Sequence, residues 1–173
     1  MPENLQYMKH ASGKLKLISI LLTLPTLVLA YCSHFLSNYT SNRDKYREDF
    51  TNNEVRSLWR EWVFLAVTGI TMVASTANFI GHLYSQKLYL NRKTAYVDFF
   101  YQYAAGLCMP VSGVLYVISA VKLYEINCTR ENDCQQFEVK LGAGGMALIS
   151  GFIFATLGSV VLTNREEVQR GIQ

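Results

Sequence analysis

The chain has little of what chemistry at a site requires. Its 173 residues include three histidines, and only 17% of the residues are charged. His10, His34 and His82 are spread without ligand spacing, and no HExxH, glycine-rich phosphate loop or nucleophile elbow occurs. The formal net charge of +3 is shared among small clusters, so no basic stripe is available for nucleic acid. These absences argue against an enzyme, against a metal or cofactor site, and against a nucleic-acid partner.

What the chain does have is apolar sequence, 50% of its residues, gathered rather than spread. Four blocks stand out: Leu15 to Leu36, Glu61 to Ser85, Phe99 to Tyr124 and Leu141 to Thr163. Each is about 20 residues or a little more, the length a helix needs to cross roughly 30 Å of hydrocarbon. Backbone groups in lipid must be satisfied within the segment, so each block is expected to be helical. The expectation is an all-α, integral membrane four-helix bundle with polar loops, a single domain over 1–173. The first block has a positive flank (Lys9, Lys14, Lys16), but its apolar run is long for a signal peptide and no small-residue cleavage pattern follows, so it reads as a retained span.

Even-numbered spans place both termini on one side, but Lys and Arg counting does not choose it. Lys9, Lys14, Lys16, Lys87, Arg92, Lys93, Arg165 and Arg170 fall with the termini and middle loop; Arg43, Lys45, Arg47, Arg56, Arg60, Lys122, Arg130 and Lys140 fall opposite. The cysteines Cys128 and Cys134, in the polar segment between the last two blocks, are close enough to pair. A disulfide there would require an oxidising face. The sequons at Asn38 and Asn127 lie on that same side. Termini in the cytosol are therefore expected, with Cys32 and Cys108 as free thiols.

Small residues four apart let membrane helices approach closely. Ala143, Ala147, Gly151, Ala155 and Ser159 form such a row in the fourth block, Gly69, Val73, Ala77 and Gly81 a weaker one in the second, and Ala105, Met109 and Gly113 a stripe in the third. Packing within one chain is the simpler use of these rows; contact between copies is the other. Pro25 and Pro110 should kink their helices. Glu61, His82, Asp98, Lys122 and Glu125 fall at or near block ends, where interfacial water suffices to explain them, and Asn78 and Gln102, further in, are expected to hydrogen-bond between helices. With spans this dry at their centres, a transporter or channel is disfavoured.

The stretch Val97 to Leu123 resembles the third helix of the MARVEL superfamily, the MAL-, physin- and occludin-like four-span proteins, through Asp98, Tyr101, Ala104, Ala105, Tyr116, Ser119 and Ala120. Gly151 to Val161 is similar to that family's fourth helix. Pro110 and a long polar first loop depart from the pattern. The resemblance implies a non-enzymatic role in membrane organisation, vesicle trafficking or membrane apposition. Such a protein would reside in the plasma membrane or in secretory or endosomal vesicles. Its partners would be the lipid bilayer, cholesterol or anionic lipid within it, and a membrane-protein partner or further copies of itself. The rival is a claudin-like junctional or channel-associated auxiliary subunit that binds through its extracellular loops. A claudin-like first loop would carry a cysteine pair, and no cysteine lies between Cys32 and Cys108.

Overall fold

The computed structural model describes residues 5–37, 58–85, 91–127 and 136–170. These form a 3-10 turn, Leu5–Lys9, and four α-helices: α1 Ala11–Phe35, α2 Trp59–Tyr84, α3 Arg92–Asn127 and α4 Phe137–Arg170. All four helices are long and apolar enough to cross a membrane, and the described residues contain no strand. The expected blocks each fall within or against one of these helices, but α3 and α4 run well past the apolar sequence at both ends. Part of the reason is local. Asn91 caps α3, its Oδ1 accepting the Lys93 N–H at 3.0 Å, so the helix starts on polar residues ahead of Phe99. The early start of α4 turns Lys140 from a loop cation into a helical side chain.

Buried positions in every helix alternate in steps of three and four. In α1 they are Ser12, Lys16, Ser19, Thr23, Thr26, Ala30 and Ser33, and in α2 Glu61, Phe64, Thr68, Thr71 and Ser75, continued by half-buried Asn78 and buried His82. In α3 the seam runs Ala95, Asp98, Gln102, Ala105, Met109, Ser112, Tyr116, Ser119 and Leu123; in α4 it runs Lys140, Ala143, Ala147, Ser150, Phe154, Leu157 and Val161. A repeat averaging 3.5 residues is the seam of a left-handed bundle. Its chemistry is inverted relative to a soluble coiled coil. Hydroxyls and charges fill the seam of α1 and α2, while Leu21, Leu24, Val28, Ile70, Val73, Leu107, Val111 and Phe152 face outward, as lipid-facing surfaces do.

The interface between α3 and α4 is built differently, from glycines spaced by seven. A Cβ at Gly106 would press on the Ala155 backbone, one at Gly113 on Ala147, one at Gly151 on the Pro110 ring, and one at Gly158 on the Tyr103 ring. Such backbone approach is how helices adhere in lipid, where burial of apolar surface gives little advantage. Pro110 therefore sits in a contact, its ring seated against Gly151, and α3 continues helically through it, as α1 does through Pro25. The fourth-helix row begins in the core with Ala143, Ala147 and Gly151, reaches half-buried Ala155 and ends at exposed Ser159. Steps of four advance the helix about 40° beyond each full turn, so a long row of this kind winds around the surface. The second-helix row lies on the outside: Val73 is exposed and a Cβ on Gly69 would meet nothing within 4 Å.

Candidate functional site

Among the described residues, the lysine, histidine, aspartate and glutamate side chains that are buried, Lys16, His34, Glu61, His82, Asp98 and Lys140, fall in two clusters at opposite ends of the bundle. This corrects the expectation that Glu61, His82 and Asp98 are explained by interfacial water. Glu61 and His82 do lie in the terminal turns of α2, and Asp98 is the seventh residue of α3, but the seam turns these side chains inward, where a charge is tolerated only with a partner.

At the end that carries the 3-10 turn, Lys16 of α1 is the centre. Its ammonium meets Asp98 Oδ2 at 2.5 Å, Asn78 Oδ1 at 2.8 Å and His82 Nδ1 at 3.0 Å. Asp98 Oδ1 in turn accepts from Asn78 Nδ2 at 2.7 Å and from Gln102 Nε2 at 3.0 Å. Three helices are tied through one cation, and all three ammonium donors are used. Asn78 bridges helices as expected, whereas Gln102 bonds one turn back along its own helix. Tyr7, from the 3-10 turn, packs its ring edge-on to His82 with centroids 5.4 Å apart.

At the opposite end Glu61 of α2 is the centre. Its Oε2 lies 2.6 Å from His34 Nδ1, and its Oε1 2.5 Å from Lys140 Nζ, with the Ser119 hydroxyl donating to Oε1 at 3.3 Å. All four helices contribute. The charged side chains of both clusters are 3% exposed or less. Each cluster sums to zero charge when its histidine is neutral, one acid against one lysine.

Between the clusters, hydroxyls are tied back to backbone. Thr23, Thr26 and Thr68 donate to carbonyls one turn earlier, at 2.7 Å in each case. Three tyrosines of α3 cross between helices: Tyr101 Oη donates to the Thr71 carbonyl at 2.9 Å, Tyr116 Oη to the Ala30 carbonyl at 3.2 Å while meeting Ser33 Oγ at 2.7 Å, and Tyr103 Oη meets Ser159 Oγ of α4 at 2.8 Å on the outer side. Phe64 stacks on Tyr116 with centroids 4.4 Å apart and, with Met109 and Phe154, fills the seam with apolar bulk.

Chemically, this arrangement binds its own groups. No group of three or more His, Cys, Asp or Glu side chains that could hold a metal occurs among the described residues. Cys32 is half-buried and Cys108 exposed on the outer surface of α3, both as free thiols. Asn38, Cys128 and Cys134 lie outside the described residues, and Asn127 is the last residue of α3. The signal that could have located the clusters is the register of charge: Lys16 shares the seam spacing with Ser12 and Ser19, and Lys140 with Ala143 and Ala147. No protein-family model, curated protein or solved structure matches this chain.

Proposed function

We propose that this chain is a non-enzymatic four-span membrane protein that organises or sorts membrane, of MARVEL type, with both termini in the cytosol. Its place is the plasma membrane or the secretory and endosomal vesicles. The observation that supports this reading is that the charged centre of each cluster is engaged by side chains of the bundle itself. Lys16 spends all three donors, and Glu61 both oxygens, on other side chains of the same bundle. Charges so engaged hold helices in place, joining three helices at one end of the bundle and four at the other. What remains for function is the outer surface, an apolar face with Trp59 and Trp62 at one end of α2 and Tyr84 at the other, a distribution suited to the lipid interface.

Fractionation of native membranes tests the proposal. Recovery with cholesterol-rich vesicle membrane, and without a stoichiometric large partner, is the expected result. A one-to-one complex with a channel or junctional protein that survives mild detergent would replace it with the auxiliary-subunit reading.

A further inference from the structure

We propose that the outer surface of the bundle fits bilayers of two thicknesses at once, thin membrane along α1 and thick membrane along α3, so that the protein collects where thin and thick lipid domains meet. The inference rests on the membrane-sorting reading above and names the lipid that its outer surface selects. The difference begins in the sequence. The apolar stretch of α3, Lys93–Glu125, runs 33 residues, against 25 for Ala11–Phe35 in α1.

Exposure tells how much of each stretch meets lipid. The outward side chains of α1 are apolar from Ile18 to Leu36, with exposed Lys14 one turn before them. Those of α3 are apolar from Val97 to Val121, with exposed Lys93 one turn before them. At about 1.5 Å per residue the two faces are ~27 Å and ~36 Å tall.

Two interior ties fix the relative height of these helices, which run parallel. Lys16 meets Asp98 across a separation of 82 positions, and Ser33 meets Tyr116 across 83. With so constant an offset, Val97 lies level with Lys14, and α3 already presents apolar surface where α1 presents a cation. At the other end Val121 lies beyond the level of Leu36. The extra height of α3 is therefore shared between both ends and is not a slip of one helix past the other.

The bundle cannot relieve this difference by itself. α1 and α3 stand at opposite corners, each packed along α2 and α4. α3 cannot incline alone, because Asp98 and Tyr116 are held by α1 and its glycines seat against α4. Inclining the whole bundle by about 20° shortens both faces in proportion, to ~25 Å and ~34 Å. The lipid must adapt, at a cost that grows with each ångström of mismatch. Thin bilayers have a hydrocarbon core of about 27 Å, and sterol- and sphingolipid-rich ones about 32–33 Å. The shorter face suits the first and the taller face the second.

The test uses giant vesicles separated into a sphingomyelin- and cholesterol-rich phase and an unsaturated phosphatidylcholine phase, with the full chain carrying a fluorescent label at its C-terminus. Fluorescence along the phase boundary should exceed that of either interior by about twofold or more. Val97→Lys combined with Val121→Lys, both at outward positions, cuts the α3 face to the height of the α1 face and should abolish the enrichment. A second measurement needs no variant: the wild-type chain should melt higher in a mixture of short- and long-chain phosphatidylcholines than in a single lipid of the mean chain length. An even spread, confinement to the interior of one phase, enrichment that survives in the double variant, or a mixture no better than the mean-length lipid would overturn the proposal. Recovery with cholesterol-rich native membrane but no boundary enrichment would overturn this inference alone and leave the organiser reading in place.

Discussion

Removing the cation from the Lys16 cluster should be costly, and removing the anion with it should restore much of the loss. In Lys16→Met the carboxylate of Asp98 keeps only the amides of Asn78 and Gln102. It is then a charge 3% exposed without a counter-charge. Breaking one side of a buried pair typically costs about 3–5 kcal/mol, most of it the penalty on the partner left behind. Asp98→Asn should cost a similar amount for the mirror reason. The double variant leaves no unbalanced charge, and replacing a buried pair by neutral groups is often close to neutral. The singles should therefore sum to well above the double, with a coupling of about 2 kcal/mol or more. At roughly 2–4 °C per kcal/mol for a chain of this size, each single variant should melt on the order of 10 °C lower. Thermal unfolding in one detergent, followed by helical circular dichroism, measures all four proteins. Single-variant losses under about 1 kcal/mol, or strict additivity, would refute the claim that the pair is desolvated and bonded as described.

Gly151→Ala should destabilise and Gly151→Leu should disrupt assembly of the helices, because the added carbon meets the Pro110 ring, whereas Gly69→Ala should be neutral or improve stability by up to about 1 kcal/mol through helix propensity; melting of the three variants checks the contrast. Tyr116→Phe removes two interhelical hydrogen bonds while keeping the ring on Phe64, and should lower stability by about 1 kcal/mol, near the range measured for such bonds in membranes. Mass spectrometry of unreduced protein should find Cys128 joined to Cys134, with Cys32 and Cys108 alkylatable; four alkylatable thiols would remove the main reason for placing the termini in the cytosol. Purified protein in liposomes should pass neither ions nor small polar solutes, and reproducible single-channel currents would contradict the organiser reading.

The number and rough position of the helices were legible because length and hydropathy are properties of whole segments, which lipid selects directly. The seam was also written in the sequence, but in reverse. Ser12, Ser19, Thr23, Thr26 and Ser33 repeat at coiled-coil spacing, yet a search for apolar periodicity passes over them, since in a span the apolar residues are the background. Searching for charge at the centre of each block likewise missed Lys16, Glu61, Asp98 and Lys140, which lie near block ends and differ from ordinary interfacial charges only in register. Rows of small residues at steps of four found Gly151 but not its spacing of seven to Gly144 and Gly158, because the contact follows the supercoil rather than the straight helix. No pattern in the sequence pointed to the docking of Tyr7, which depends on a tight reversal ahead of α1.

The pairing of charges far apart in the chain also bears on how the protein is made. Lys16 enters the membrane 82 residues before Asp98, and Glu61 enters 79 residues before Lys140. A nascent chain that stops after α2 holds one cation and one anion at opposite ends, each with polar neighbours but no counter-charge. One that stops after α3 has neutralised the first and not the second. With both histidines neutral, electroneutrality of the two clusters is complete only once α4 is in place, so the last helix closes a balance that the first one opened.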